Sequence, residues 1–244
     1  STDSICPFCY VGKRRIEEAI RRSSHLPLSF NIKFAPFLLD PTLPDSPGEN
    51  KRERYQRRFG GADKVAAMEK AMFERGQACD PPIRFSYDGN VAQTTDSHRI
   101  IEKALELKGE EGQLALVERC VSRSSSPLSS SPTLGLALEL IGPRIPRSLF
   151  KTYFEESGDP GSHELLARDA VSTGIFASVD EAKAFLASDE LLASVQAGIK
   201  KAQLRGISGV PFTIVNDKYG ISGAQETETF MEVFKKIAKG ELEA

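Results

Sequence analysis

The chain has 244 residues, of which 40% are apolar, so it can bury a substantial core in one large or two small domains. Its 32 basic and 34 acidic residues give a net charge of −2, which excludes the global positive field that nucleic-acid binding needs. No stretch approaches the run of about 18 apolar residues that spans a membrane, so we expect no membrane association. Four cysteines are too few for a disulfide scaffold, and we therefore expect a reducing, cytoplasmic location.

The first motif in the chain is Cys6-Pro7-Phe8-Cys9, which stands directly before a helical pattern at 10–22. Unpaired N–H groups and the helix dipole stabilise a thiolate at a helix N-terminus. We therefore expect Cys6 to be the exposed nucleophile and Cys9, one turn further in, to be the shielded resolving thiol. Pro7 suits the first helical turn. Phe8 is expected beside the sulfurs, where it either tunes their exposure or simply packs.

A zinc site is the alternative use of the same cysteine spacing. Zinc needs four ligands, and the sequence offers no second CxxC, while His25, His98 and His163 are scattered. We therefore expect no metal. The remaining cysteines, Cys79 and Cys120, have no such spacing and are expected to be buried structural thiols.

In chain order, a strand pattern of period two covers 28–37 and stops at Pro36, and a proline-rich turn follows at 41–48. The next segments have helical patterns, at 51–59, 62–78, 94–107, 112–120, 149–155, 163–173 and 179–186. A longer helix is predicted at 189–204, then strands at 210–215 and 219–222, and finally an amphipathic helix at 226–239. This order predicts an α/β domain formed by 1–43 and 189–244, interrupted by an all-helical domain at 44–188.

Residues 121–147 do not fit this plan, because they contain seven Ser and four Pro. When they are removed, Leu116, Cys120, Phe150 and Phe154 fall into one apolar helical stripe. We therefore interpret this atypical Ser/Pro-rich segment as an insertion into a helix. Translation of an unspliced segment is one origin that would explain it.

Four motifs together carry a resemblance to a known family: residues 6–15, 94–99 (TTDSHR), 206–212 (GISGVPF) and 221–225 (ISGAQ). In this order they resemble the FrnE branch of the DsbA-like thioredoxin superfamily. The resemblance implies a thioredoxin-like fold split by a helical domain, and a thiol-disulfide oxidoreductase. It implies no bound cofactor, with glutathione as an optional co-substrate.

The resemblance also implies roles for single residues. Pro211 would be a cis-proline facing the dithiol, which leaves the backbone of Val210 free to pair with an extended substrate. His98 would line the groove between the two domains. Phe8 stands where the family usually has Trp, and the central strand before Cys6 is expected to be shortened, because only five residues precede the dithiol.

The expected substrates are protein disulfides and dithiols or glutathione, acted on by a monomer or homodimer; the net direction of exchange stays open. A second interpretation is a glutathione-dependent isomerase or transferase of the same superfold, similar to kappa-class transferases and 2-hydroxychromene-2-carboxylate isomerases, in which Cys9 is dispensable. A third is a non-catalytic module that binds peptides or senses redox state.

Overall fold

A computed structural model describes residues 1–118 and 148–243. These residues form nine helices and four short strands. The elements are α1 (Pro7–Arg22), β1 (Glu49–Asn50), α2 (Lys51–Phe59), α3 (Ala62–Gln77), β2 (Asn90–Val91), α4 (Thr95–Glu118), α5 (Leu149–Phe154), α6 (His163–Ser172), α7 (Val179–Ala187), α8 (Leu192–Leu204), β3 (Phe212–Val215), β4 (Tyr219–Ser222) and α9 (Thr227–Ala238).

The helical patterns predicted most of these elements to within a few residues. Two predicted helices are parts of α4, which bends where Gly109 takes a φ of 64°. α8 starts three residues later than predicted, because Leu191 before it has a left-handed φ of 63°. The short β1–β2 pair was not predicted, and residues 119–147, including Cys120, lie outside the described residues.

The strand predicted at 28–37 keeps its alternation of half-buried and exposed side chains but forms no extended ladder; its bridge to another segment is at Pro36, paired in parallel with Thr2. The prediction of a full strand is therefore wrong in this structure. Ladder hydrogen bonds need a partner strand alongside, and here the partner strand is formed by Ser1 and Thr2.

Those two residues lie in the middle of the sheet. The nitrogen of Ser1 donates to the Phe212 carbonyl at 2.6 Å, and the Phe212 N–H donates back to Ser1 at 3.2 Å. On the other side Thr2 N–H donates to Ala35 at 3.0 Å, and Phe37 N–H donates to Thr2 at 3.1 Å. Ser1 and Thr2 therefore form a short strand between β3 and the 35–37 segment. This strand is antiparallel to β3 and parallel to 35–37, and the chain then turns into α1.

The largest apolar cluster joins α1 to the helical region. Tyr10 is fully buried, and its ring stacks on Phe150 with centroids 5.0 Å apart, with Phe154 at 5.7 Å. A second cluster lies between α1 and α9 around Ala19, Phe230 and Phe234. Because α1 contributes to both clusters, the helix that carries the dithiol is held on two sides.

Candidate active site

Cys6 and Cys9 lie at the N-terminus of α1, with Cys6 as the residue that precedes the first helical turn and Pro7 as its first member. Both are free thiols, and the Cys9 N–H donates to the Cys6 carbonyl at 2.9 Å. Cys6 is only 2% exposed and Cys9 3%. The expected shielding of Cys9 is confirmed, whereas the expected exposure of Cys6 is wrong, because segments distant in sequence cover it.

The ionisation of Cys6 also differs from the expectation. Its pKa is raised well above the usual value, first by the hydrogen bond to the Cys9 side chain and then by burial. A helix N-terminus favours a thiolate, but the hydrogen bond and the burial outweigh that effect at Cys6.

The Val210–Pro211 segment faces the dithiol, as the resemblance implied. The Cys6 thiol donates a hydrogen bond to the Val210 carbonyl, with sulfur and oxygen 3.4 Å apart. The Val210–Pro211 peptide bond is cis, and the Pro211 carbonyl accepts from Gly223 at 2.9 Å. The backbone that precedes β3 is thus held beside the sulfur of Cys6.

Gly12 allows this close approach. An added Cβ at Gly12 would lie 3.2 Å from Cγ of Pro211 and 3.4 Å from Cβ of Ala224. Sequence reasoning did not single out Gly12, although a glycine in a helix interior costs about 1 kcal/mol relative to alanine and so signals a steric requirement.

Phe8 projects outward from the first turn of α1 and is 44% exposed. The guanidinium of Arg75 lies 5.8 Å from its ring centroid. Phe8 therefore forms an exposed aromatic surface beside two buried sulfurs.

His98 does not line an open groove. It is 2% exposed, and its Nε2 lies 3.0 Å from the Phe37 carbonyl and 3.7 Å from Oδ1 of Asp3. Asp3 is fully buried, and its carboxylate accepts from the Leu39 N–H at 2.7 Å. Since a carbonyl only accepts, Nε2 carries a proton, and His98 fastens the 37–39 segment behind the dithiol.

The residues next to His98 have a similar structural role. Ser97 and Ser4 share a hydrogen bond of 2.7 Å, and Arg99 donates to the carbonyls of Phe185, Leu186 and Glu190. Sequence reasoning missed Asp3, although a lone acidic residue in the strand before a CxxC was a visible signal. Ser97 thus attaches the start of α4 to the segment that leads into Cys6, and Arg99 attaches it to the end of α7 and the turn after it.

Within residues 1–118 and 148–243, no group of three His, Cys, Asp or Glu side chains could hold a metal ion. In the same part of the chain no helix is both long and apolar enough to cross a membrane. Cys79 is buried at 8% exposure and donates to the Arg75 carbonyl, consistent with a packing role.

The dithiol at a helix N-terminus, facing a cis-proline loop before a β-hairpin, defines a thioredoxin-like protein with a helical insertion. The chain belongs to the DsbA-like thioredoxin domain family, whose model matches residues 1–124 and 133–235. Of the residues that the model leaves unmatched, 125–132 lie inside the Ser/Pro-rich segment 121–147, and 236–244 are at the end of the given sequence. None of the curated proteins matches the chain.

Among solved structures, a probable DsbA oxidoreductase from Streptomyces coelicolor resembles this chain with a TM-score of 0.67. The two sequences are 23% identical, and the match covers 100% of this chain and 89% of that one. At this identity the likeness shows the shared fold.

Proposed function

We propose that this protein is a thiol-disulfide oxidoreductase that uses Cys6 as nucleophile and Cys9 as resolving thiol. The observation that carries the proposal is the position of Cys6 at the N-terminus of α1, one helical turn before Cys9, with its sulfur 3.4 Å from the carbonyl that precedes Pro211. Cys9 would supply the second thiol of the dithiol, and the contact with the Val210 carbonyl supports Cys6 as the sulfur that meets a substrate backbone. Membership of the DsbA-like family supports the same chemistry.

Exchange proceeds in two steps. The Cys6 thiolate attacks one sulfur of a substrate disulfide, the substrate S–S bond breaks, and the released thiolate takes up a proton. Cys9 then loses its proton and attacks Cys6 in the mixed disulfide, which releases the second substrate thiol and leaves a Cys6–Cys9 disulfide. Two electrons pass from the dithiol to the substrate, and the reverse sequence delivers a disulfide.

The substrates we propose are protein disulfides or dithiols, with glutathione as the small thiol that resets the pair. Val210 would offer its backbone to an extended substrate in the manner of a short β-pairing, and the exposed ring of Phe8 would contact the segment beside it. No bound cofactor is needed for this chemistry, because both redox equivalents reside on the two sulfurs.

The test is Cys9→Ser, with Cys79→Ser as the matched control, since Cys79 is a buried thiol outside the dithiol. We expect Cys9→Ser to accumulate a Cys6-linked mixed disulfide with a model peptide disulfide and to lose multiple turnover in insulin reduction. Cys79→Ser should keep turnover. Full turnover by Cys9→Ser would instead favour the glutathione-dependent alternative, in which a single residue activates the thiol of glutathione.

A further inference from the structure

The side chains of Phe8 and Arg75 meet at the edge of the dithiol site. Phe8 follows Cys6 by two residues, lies in the first turn of α1 and is 44% exposed. The guanidinium carbon of Arg75 lies 5.8 Å from the centroid of its ring. A guanidinium within about 6 Å of an aromatic centroid is attracted to the ring. An exposed cation is therefore held beside the residue that separates the two cysteines.

The position of Arg75 on α3 explains how its side chain reaches Phe8. Met72 and Cys79, three residues before it and four after it, are buried at 3% and 8% exposure. Residues three and four apart share one face of a helix, so Arg75 starts from the face of α3 that packs on the core. Its side chain is exposed because it leaves this face at the edge next to Phe8.

Arg75 differs from the arginines of the two preceding helices in its ion pairs. Every arginine of α1 and α2 has a nitrogen within 3.3 Å of an Asp or Glu oxygen. Among residues 1–118 and 148–243, no Asp or Glu side chain forms an ion pair with Arg75. The positions one helical turn away, 71, 72, 78 and 79, carry Ala, Met, Ala and Cys, so its own helix offers no carboxylate.

The guanidinium of Arg75 keeps the capacity to bind a carboxylate. It has five N–H donors in one plane, and Nη1 donates to the Ala71 carbonyl at 3.1 Å. The other donors can bind both oxygens of a carboxylate at once, a geometry that favours arginine over lysine. The edge of the dithiol site therefore presents a group suited to a carboxylate that arrives from outside.

Arg75 is placed to act on the substrate and not on the thiols. The residues that shift the pKa of Cys6 are Cys9 and Asp3. Phe8 lies between Arg75 and the sulfurs in the order of contacts, and it is the residue that we place against the substrate segment. A substrate segment beside Phe8 would thus come within reach of the guanidinium.

We propose that Arg75 recognises a carboxylate of the substrate within about three residues of the cysteine that Cys6 attacks, at the strand rise of about 3.3 Å per residue. The inference rests on the proposed thiol-disulfide exchange and adds to it a preference for acidic substrates. The carboxylate comes from an acidic side chain of a protein substrate or from glutathione, which has a carboxylate on each side of its cysteine.

The first test measures binding without any exchange. The probes are two fluorescein-labelled peptides with a central S-methylcysteine, which cannot form a disulfide, and with either Glu or Lys at the positions two residues before and two residues after it. We expect the reduced wild type to bind the Glu peptide about fivefold more tightly than the Lys peptide, and Arg75→Glu to reverse that order. The same ratio in both proteins would overturn the proposal.

Lys236→Glu is the matched control, because it changes the net charge by the same amount at an exposed position of α9. This helix packs against α1 around Ala19, more than three turns after Cys6. Lys236→Glu should keep the wild-type ratio, and the ratio should approach one in about 1 M salt, which screens exposed charges. An equal effect of Lys236→Glu and Arg75→Glu would assign the preference to net charge and overturn the role of Arg75.

The second test measures kcat/KM, with the same peptides carrying a central cysteine in a disulfide with mercaptoethanol. A Gln peptide reports the exchange chemistry alone, and the ratio of Glu to Lys peptide reports the recognition of charge. No turnover of the Gln peptide by the wild type, with the binding ratio intact, would refute thiol-disulfide exchange and leave the carboxylate site standing. Turnover of the Gln peptide with equal values for Glu and Lys peptides would keep the exchange chemistry and overturn the proposal.

Oxidised glutathione separates the two sources of the carboxylate. A loss of kcat/KM in Arg75→Glu for both oxidised glutathione and the Glu peptide supports recognition of either source. A loss confined to the Glu peptide assigns the site to protein substrates, and a loss confined to oxidised glutathione assigns it to the small thiol. No loss for either substrate would overturn the proposal.

Discussion

Gly12 of α1 packs against Pro211, so closely that a Cβ at position 12 would lie 3.2 Å from Cγ of the proline. This contact joins the helix that carries the dithiol to the loop whose carbonyl accepts from Cys6. The distance between the helix and the loop therefore sets the position of Val210 relative to the sulfur.

We predict that a side chain at position 12 moves Pro211 and Val210 away from Cys6, and that a larger side chain moves them further. Gly12→Ala should lower kcat/KM for insulin reduction slightly, and Gly12→Val should lower it by about tenfold, because a branched side chain must push Pro211 and Val210 away from Cys6. The measurement is kcat/KM under conditions in which each variant is folded.

Gly158→Ala is the matched control for Gly12. Its added Cβ would lie 2.7 Å from the Thr152 side chain, in a tight contact outside the dithiol site. It should lower the free energy of unfolding while leaving kcat/KM per folded molecule unchanged. A loss of activity in Gly158→Ala equal to that in Gly12→Val would show that general destabilisation, and not the contact with Pro211, is responsible.

The raised pKa of Cys6 yields a prediction about its reactivity. The largest cause is the hydrogen bond to the Cys9 side chain. Cys9→Ala should therefore lower the pKa of Cys6. The part of the increase that burial causes should remain. The rate of Cys6 carbamidomethylation by iodoacetamide, followed against pH by mass spectrometry of the Cys6 peptide, measures this midpoint.

Cys79→Ala serves as the control and should leave the midpoint of Cys6 unchanged, because Cys79 is not among the groups that shift it. An unchanged or higher midpoint in Cys9→Ala would mean that burial alone raises the pKa of Cys6.

The sequence predicted what local patterns determine and missed what distant segments determine. The dithiol, Pro7 at the first turn and the Val210–Pro211 strand start are encoded in short motifs, and the structure places them together. The burial of Cys6 and the side-chain hydrogen bond that raises its pKa depend on tertiary packing, which periodicity does not report. The alternation of 28–37 was correct, but a ladder depends on its partner strand.

His98 illustrates the same limit. Its motif was recognised from the order of residues, yet its burial beside Asp3 and the Phe37 carbonyl depends on how α4 meets the sheet. A lone histidine in a helix gives no signal that separates a groove position from a buried structural one.

Lys51 provides a prediction about stability and pH. Its side chain is buried, its Nζ lies 3.9 Å from the Tyr153 ring centroid, and burial lowers its pKa from 10.5 to about 8. The unfolded chain therefore binds more protons than the folded one between pH 8 and 10.5, so this residue makes the protein more stable as pH rises through that window. Below pH 8 the buried Lys51 amine is charged, and the full cost of burying that charge lowers the free energy of unfolding.

Lys51→Met should remove this pH dependence. The difference in free energy of unfolding between the wild type and Lys51→Met should shift in favour of the wild type by about 3 kcal/mol between pH 7 and 10.5. Urea unfolding at several pH values measures it. Lys64→Met, at an exposed position of α3, should give a difference from wild type that does not vary with pH. A constant difference for Lys51→Met as well would show that its pKa is not lowered.

Arg99 provides a test of whether the 94–99 motif has a structural or a catalytic role. Its guanidinium is buried and donates to the carbonyls of Phe185 and Leu186 at 3.1 Å and of Glu190 at 2.8 Å, at the end of α7 and in the turn after it. Arg99→Met leaves several buried carbonyls without a donor, so we expect the free energy of unfolding to fall by about 3 kcal/mol.

The control is Arg168→Met, which removes an ion pair between half-exposed side chains of Arg168 and Glu164 and should lower the free energy of unfolding far less than Arg99→Met does. Because Arg99 contacts backbone carbonyls and not the dithiol, folded Arg99→Met should keep the wild-type kcat/KM for insulin reduction and the wild-type pH profile of Cys6 alkylation. If Arg99→Met changes that profile while its free energy of unfolding stays at the wild-type value, the motif acts on the dithiol, and the structural interpretation of these residues is wrong.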